Sequence, residues 1–355
     1  MIRPYQVKIP QEPLDDLAAR LAATRFTRAL PGAGLGVPAD RVRHLVEYWR
    51  DGYDWRAWER RINVHPQFST EIDGLDVHFL HIRSARPDAL PLILTHGWPM
   101  SVVEFLPLID RLSDAFHLVI PSVPGFGFSG VPREPGWNRR RVAAAWAVLM
   151  RRLGYERYGV HGNDVGSLIS IELGRLDPRR VVGVHVTQIF SLPSGDAAER
   201  ARLGSGDRAK LAALERFMAD RSAYLALQST QPQTLAYALA DSPAGQLAWN
   251  LQLFGDAVSD DYILTNAAIY WLTDTAGSSA LTGYHGNRPP SEPSSVPLGL
   301  ACFADDFFPS IRPLAERDHG AIVHWNTYDK GGHHAAQEEP QLLADDIRMF
   351  FTARR

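Results

Sequence analysis

The stretch Val160-His161-Gly162-Asn163-Asp164-Val165-Gly166-Ser167 joins an apolar segment, Tyr158 to Val160, to a helix-like run from about Ser167 to Leu176. Glycines stand two residues before and two residues after Asp164, so the chain can turn sharply from strand to helix. Such a turn exposes its apical side chain above a sheet, in a positive-φ conformation that aspartate tolerates. The stretch therefore predicts a strand–turn–helix unit that presents the Asp164 carboxylate.

Strand-like and helix-like segments alternate on both sides of this unit. The alternation covers residues 68–190, includes a hairpin signal at Asp73-Gly74, and returns over residues 294–355. It predicts an α/β core, with a mostly parallel central sheet and helices on both faces. Residues 191–293 look helical, so we expect a helical cap inserted in this core above a ligand pocket. Residues 1–67 form a mixed N-terminal segment. Helix-like runs in the expected cap lie around 207–219, 231–254 and 261–277.

Composition narrows the class of protein. The 355 residues include 37 basic and 40 acidic ones, a formal net charge of −3 that gives no electrostatic reason to expect a nucleic-acid partner. The one cysteine, Cys302, excludes a disulfide framework and a cysteine-based zinc site. No apolar run approaches the length that spans a bilayer, and the first residues lack a signal-peptide pattern. We expect a cytoplasmic, soluble protein without a membrane partner.

An aspartate at the apex of such a turn changes the expected chemistry. A carboxylate nucleophile makes an alkyl ester by displacement at saturated carbon, whereas a serine would make an acyl ester. In proteins with such a turn, the nucleophile comes first in the chain, then the acid and then a histidine, so the base should follow the last strand. His333 lies there in a glycine-flanked loop. The acid should follow the strand that ends at Phe303, where either Asp305 or Asp306 could serve. The sequence thus offers a nucleophile, an acid and a base in the required order.

An oxyanion needs two backbone donors. The amide of Val165 directly follows the nucleophile, and the amide of Trp98 lies in the loop His96-Gly97-Trp98-Pro99 after an apolar strand. Opening a ring would also need an acid, which a cap phenol could supply, although spacing alone does not choose among the cap tyrosines. These tyrosines are Tyr224, Tyr237, Tyr262, Tyr270 and Tyr284. The candidates for apolar pocket walls are Trp98, Phe190, Trp249 and Phe254.

These residues together resemble the microsomal-type epoxide hydrolases of the α/β-hydrolase superfamily. The similar motifs include the N-terminal meander with Pro13-Leu14-Asp15-Asp16-Leu17, the oxyanion loop, and Gly331-Gly332-His333 with Glu338-Glu339-Pro340. The resemblance covers nearly the whole chain. It implies hydrolysis of an epoxide to a vicinal diol, through an ester on Asp164, without a metal or an organic cofactor. It also implies that Asp306 is the acid and that Tyr224 and Tyr284 hold the epoxide oxygen.

Some positions depart from the pattern of this family. Asn163 and Val165 flank the nucleophile where glycine and tryptophan are frequent, His334 replaces a phenylalanine, and Asp305 adjoins the acid. The chain is more similar to soluble bacterial members, some of which act in antibiotic biosynthesis, including that of enediynes. The alternatives are another Asp-nucleophile hydrolase, such as a haloalkane dehalogenase, and a silent member that only binds a ligand. The sequence leaves a homodimer open.

Overall fold

The computed structural model describes residues 1–28, 36–283 and 294–354. In these residues nine strands form a single sheet. The strands are β1 (Arg3–Tyr5), β2 (Gln67–Ile72), β3 (Leu75–Ile82), β4 (Leu90–Thr95), β5 (Phe116–Pro121), β6 (Tyr158–Gly162), β7 (Val181–Val186), β8 (Leu298–Asp305) and β9 (Ile322–Gly332). Their order in the sheet is β1-β2-β3-β5-β4-β6-β7-β8-β9. The pairs from β1 to β5 along this order are antiparallel, and those from β5 to β9 are parallel.

Helices connect and cover these strands. The α-helices of the described residues are α1 (Gln11–Ala22), α2 (Ala39–Asp51), α3 (Trp55–Asn63), α4 (Leu106–Leu112), α5 (Arg139–Arg152), α6 (Val165–Leu176), α7 (Ala197–Arg202), α8 (Ser205–Asp220), α9 (Ala223–Thr230), α10 (Pro232–Asp241), α11 (Pro243–Asn250), α12 (Asp260–Leu272), α13 (Ala276–Ser279), α14 (Arg312–Asp318), α15 (Ala335–Glu338) and α16 (Pro340–Thr352). Short 3₁₀ turns span Val102–Phe105, Leu251–Leu253 and Ala280–Gly283. Throughout the described ranges, no helix is long and apolar enough to cross a membrane.

The sheet is a buried layer between two apolar faces. Strands β4, β5 and β6 are buried along their whole length, as expected for parallel strands that helices cover on both sides. Side chains of α5 and α6 pack on one face, and those of α4 and α16 pack on the other. The predicted α/β-hydrolase fold, with its mostly parallel sheet, is confirmed. The parallel strands all end at one edge of the sheet, which is where a site in such a fold is expected.

Local sequence explains most element boundaries. The predicted hairpin forms with Ile72 paired to Leu75, because Asp73 and Gly74 adopt the positive φ angles, 52° and 75°, that the tight turn needs. The helix-like run at 231–254 is divided into α10, α11 and a 3₁₀ turn. Pro243 explains the first break, since proline has no amide hydrogen to donate and begins a new helix at its first turn.

The N-terminal segment is tied to the long helix α12. Arg41 of α2 lies 2.6 Å from the Asp260 carboxylate at the start of α12. The hydroxyl of Tyr48, also on α2, donates to Asp261 at 2.7 Å. The buried side chains of α2 and α12 belong to the same apolar cluster. Residues that precede the core in sequence therefore brace the helices inserted between β7 and β8.

Candidate active site

Asp164 stands at the apex of the turn between β6 and α6. Its φ angle is 54°, the left-handed conformation that the sequence predicts there. The turn is so tight that a Cβ on Gly166 would lie 1.9 Å from the carbonyl oxygen of Thr95. A Cβ on Gly97 would lie 2.2 Å from Asp164 Oδ1. Glycine at these two positions therefore lets the backbone of β4 approach the turn and lets the carboxylate approach the backbone.

The predicted base and acid meet Asp164 at the same edge of the sheet. His333 Nε2 lies 3.5 Å from Asp164 Oδ2, and His333 Nδ1 lies 3.0 Å from Asp306 Oδ1. The ring of Phe307 stacks on the imidazole with 4.1 Å between centroids. Asp305 is exposed and pairs with β9 through its backbone, so of the two candidate acids Asp306 is the one that contacts the histidine.

Two backbone amides hydrogen-bond the Asp164 carboxylate. The amide of Trp98 donates to Oδ1 at 2.9 Å, and the amide of Val165 also hydrogen-bonds this carboxylate. The two donors expected from the sequence thus converge on one side of Asp164. His96 is buried in the same loop, where its Nε2 accepts from the amide of Val123 at 3.2 Å. That contact gives His96 a structural role.

The charges of this group are strongly coupled. Burial opposes ionisation of Asp164, but hydrogen bonding and charge attraction from His333, with the amides of Trp98 and Val165, hold its pKa below the usual value. Burial alone would lower the pKa of His333. The carboxylates of Asp306 and Asp164 outweigh that effect and raise this pKa to about 10. In this state, an anionic Asp164 therefore faces a protonated His333 at neutral pH.

One predicted cap tyrosine lies above Asp164. The ring of Tyr224 stacks on Trp98 at 5.7 Å between centroids. Burial and the nearby Asp164 charge raise the pKa of this phenol, so it keeps its proton. Among its competitors, Tyr237 is 72% exposed, while Tyr262 and Tyr270 are fully buried in the core. Tyr284 lies outside the described residues, and its role stays a prediction.

A cavity of about 690 Å³ opens over the Asp164 carboxylate. Trp98 and Phe190 line it, as expected from the sequence. Trp249 and Phe254 are not among its lining residues, which contradicts the prediction that they form pocket walls. The 3₁₀ turn before Phe254 directs Leu253 to the cavity instead, and the Phe254 ring stacks on His334. The other aromatic lining residues are Phe126, Trp137, Phe217, Tyr224, Phe307 and Phe308.

The sequence does not predict the contacts of three polar residues of the site, Gln188, Glu104 and Asn163, although Asn163 stands out there as a departure from the family pattern. Gln188 is buried two residues beyond β7 and contacts both Asp164 and Asp306. Asn163 donates its side-chain amide to the carbonyl oxygen of His333 at 3.0 Å and to the Glu104 carboxyl group at 2.7 Å. Burial raises the pKa of Glu104 to about 8. Gln188 had one available signal, because it is a polar residue at the carboxyl end of an apolar strand.

A second polar cluster lies in the core, away from the cavity. His185, His324 and Asp346 are the one group in the described ranges whose atoms are close enough together to hold a metal ion. The Asp346 carboxylate already accepts hydrogen bonds from both imidazoles at 2.8 Å. Asn326 and Tyr328 add donors at 2.6 Å each. With four donors satisfying one buried carboxylate, we assign this cluster a structural role.

The comparisons with known proteins agree with this geometry. A family model described as "Epoxide hydrolase N terminus" matches residues 2–105, and one described as "alpha/beta hydrolase fold" matches residues 91–272. A "Putative epoxide hydrolase" of Stigmatella aurantiaca is 41% identical, covering 100% of this chain and 86% of that protein. Epoxide hydrolase 1 of Sus scrofa is 30% identical, covering 98% of this chain and 88% of its own length.

Solved structures give the same result. The epoxide hydrolase of Aspergillus niger superposes with a TM-score of 0.89 at 31% identity, covering 100% of this chain and 97% of that one. Likeness at this level extends over the N-terminal segment, the sheet and the inserted helices together. The chain therefore belongs to the epoxide hydrolase family of the α/β-hydrolase fold.

Proposed function

We propose that the chain hydrolyses an epoxide to a vicinal diol in two steps, through an ester on Asp164. The observation that carries this proposal is the position of the Asp164 carboxylate. Its Oδ1 accepts from the amide of Trp98, the amide of Val165 also hydrogen-bonds the carboxylate, and Oδ2 lies 3.5 Å from His333 Nε2. The carboxylate lines the same cavity as the Tyr224 phenol, which stacks on Trp98. We further propose that the helices between β7 and β8 act as the cap that supplies this phenol.

In the first step, Asp164 Oδ2 attacks a carbon of the epoxide from the side opposite the ring oxygen. The new carbon–oxygen bond forms as the epoxide carbon–oxygen bond breaks. The hydroxyl of Tyr224 gives its proton to the departing alkoxide, and its raised pKa means that this proton is available at neutral pH. The products of the step are a hydroxyalkyl ester of Asp164 and a Tyr224 phenolate, and the phenolate is reprotonated by the proton that His333 loses once the ester has formed. Tyr284 stays the predicted second donor.

In the second step, a water molecule attacks the Asp164 Cγ atom while His333 takes its proton. Charge develops on Oδ1, which accepts from the amide of Trp98, and the amide of Val165 also hydrogen-bonds this carboxyl group. One such donor is worth about 3 kcal/mol in comparable sites. The Cγ–Oδ2 bond then breaks, and the diol alkoxide takes the proton from His333. The second proton of the water passes from the Asp164 carboxyl group to His333, which restores the carboxylate and the protonated imidazole of the resting enzyme. Asp306 holds the imidazole in position throughout.

The change of charge between the two steps explains how one histidine serves both. In the resting enzyme, two carboxylates raise the pKa of His333 to about 10. Esterification of Asp164 removes one of these charges at 3.5 Å, so the pKa of His333 falls and the imidazole can lose its proton. The base therefore becomes available when the intermediate that needs it has formed.

Isotope labelling tests the proposal directly. A single turnover of excess enzyme with styrene oxide in H₂¹⁸O should give a diol without solvent oxygen and should place ¹⁸O in the peptide that contains Asp164. His333→Gln should accumulate the ester, which peptide mass spectrometry would locate. Asp305→Asn is the matched control for Asp306→Asn, because only the second removes a contact to His333. Solvent ¹⁸O in the diol of the first turnover would refute the ester and favour direct attack by water.

A further inference from the structure

Gln188 joins two members of the site through a single side chain. Its Oε1 accepts from the backbone amide of Asp164 at 2.7 Å, and its Nε2 donates to Asp306 Oδ2 at 2.5 Å. The orientation of the amide group is fixed by its partners, since a backbone N–H can only donate and an ionised carboxylate can only accept. The side chain is fully buried, so water does not compete for either contact.

Each contact of Gln188 provides a hydrogen-bond partner for a polar group of the site. Asp164 has a positive φ, and its amide lies before the first turn of α6, where no helical acceptor exists. Gln188 supplies that acceptor. On the other side, Asp306 Oδ1 accepts from the amide of Phe308 at 2.9 Å and faces His333 Nδ1 at 3.0 Å. Gln188 occupies Oδ2, so rotation of the carboxylate would break three contacts together.

We propose that Gln188 is a positioning residue, which fixes the orientation of Asp306 relative to the backbone of Asp164 and thereby aims His333. This inference rests on the proposed two-step function. Formation of the ester depends on the carboxylate of Asp164, which Trp98 and Val165 hold independently. Hydrolysis of the ester depends on an imidazole aimed through Asp306. Loss of the Gln188 contacts should therefore slow hydrolysis of the ester more than its formation.

Two substitutions separate positioning from a merely structural role. Gln188→Met keeps the length of the side chain and removes its contacts to Asp164 and Asp306, together with those that Oε1 accepts from the hydroxyls of Thr187 and Ser167. Gln188→Glu keeps an acceptor for the Asp164 amide but sets a second carboxyl group against Asp306 Oδ2. Two carboxyl groups at 2.5 Å repel each other strongly when both are ionised, so they share one proton at low pH. When that proton is lost at higher pH, the repulsion displaces Asp306. The ester-hydrolysis rate of Gln188→Glu, divided by that of wild type at the same pH, should therefore fall as the pH rises, whereas the same ratio for Gln188→Met should not depend on pH.

The experiment is rapid mixing of excess enzyme with styrene oxide, in which quenched samples are analysed for the Asp164 ester by mass spectrometry. For Gln188→Met we expect ester formation within about threefold of wild type and ester decay slower by about 10- to 100-fold, the value of a hydrogen bond to a charged group. Gln246→Met is the matched control. Gln246 is equally buried, but its side chain donates to the carbonyl oxygen of Ala267 in α12, so both rates should stay unchanged.

The outcomes separate this inference from the proposed function. Wild-type enzyme that forms no Asp164 ester would refute the two-step function, and the inference with it. Wild-type enzyme that forms the ester, together with Gln188→Met that changes both rates equally or neither, would overturn the inference alone. The inference would also fail if the loss of ester-hydrolysis rate had the same pH dependence in Gln188→Glu and Gln188→Met. It would fail likewise if the rate loss of each variant were in proportion to the fall in its melting temperature. Slow ester decay with a normal melting temperature supports it.

Discussion

Removal of the Asp164 charge should lower the pKa of His333. The substitution Asp164→Asn keeps the shape of the side chain and resembles the ester in having no net charge. Oδ2 lies 3.5 Å from His333 Nε2, a separation at which two unit charges interact by about 5 kcal/mol at an effective dielectric constant of about 20. One pKa unit corresponds to about 1.4 kcal/mol, so the pKa should fall by about 3 to 4, from about 10 to near neutrality.

Nitrogen-15 NMR titration of the histidine side chains measures this pKa directly. The wild-type imidazole should stay protonated through pH 8, while that of Asp164→Asn should lose its proton between about pH 6 and 7. Asp305→Asn is the control, because Asp305 is exposed and makes no contact with His333. A wild-type His333 that titrates near its ordinary value, or an unchanged pKa in Asp164→Asn, would refute the reasoning. The same fall in pKa predicts a pH dependence of the reaction. Hydrolysis of the Asp164 ester should accelerate as the pH rises through the lower pKa, because His333 then becomes neutral and can accept a proton.

Three further substitutions probe different parts of the molecule. Gly97→Ala places a Cβ 2.2 Å from Asp164 Oδ1 and should lower kcat by about 100-fold or more, because that oxygen is pushed away from the amide of Trp98. Tyr224→Phe should slow ester formation by about 100-fold or more, measured by rapid mixing, and should leave ester decay unchanged. Asp346→Asn should lower the free energy of unfolding by about 3 to 5 kcal/mol in urea. Four hydrogen bonds outweigh burial and depress the pKa of Asp346, so its contribution is present above about pH 4 and lost as the pH falls further.

Each of these has a matched control. Gly206→Ala adds a Cβ that meets nothing within 4 Å, and kcat should not change. Tyr237→Phe alters a tyrosine that is 72% exposed, so a rate loss equal to that of Tyr224→Phe would contradict a specific proton donor. Asp345→Asn changes the exposed neighbour of Asp346 and should leave stability within about 0.5 kcal/mol. A stability loss for Asp346→Asn that persists undiminished at pH 3 would contradict the linkage.

The parts that the sequence predicts well are those with a local cause. The turn at Asp164 needs glycines at fixed spacing, the hairpin needs Asp73-Gly74, and His333 follows the last strand in chain order. Gln188 and Glu104 could not be assigned in this way. Their partners come from separate loops, and only the convergence of strand ends at one edge of the sheet brings them together.

The direction of side chains near the cavity is the second feature that the sequence does not predict. The sequence predicts Trp249 and Phe254 as pocket walls, but neither lines the cavity. Leu253, the last residue of a 3₁₀ turn, faces the cavity in place of its neighbour Phe254. Period alone cannot locate such a turn. The cytoplasmic location, the homodimer and a role in antibiotic biosynthesis stay predictions from the sequence.

The ties between α2 and α12 restrict how a substrate can reach Asp164. Arg41 and Tyr48 bind the start of α12. The inserted helices therefore cannot move away from the sheet as one rigid body unless an ion pair and a hydrogen bond break. Helix α10 is also tied to the N-terminal segment, because Arg20 of α1 donates to the carbonyl oxygen of Asp241 at 2.9 Å. By contrast, Met218 of α8 and Leu225 of α9, which line the cavity, are each 37% exposed. We therefore expect the motions that open the cavity to be confined to α8 and α9. The N-terminal segment would then hold α12 in place while the other wall of the cavity moves.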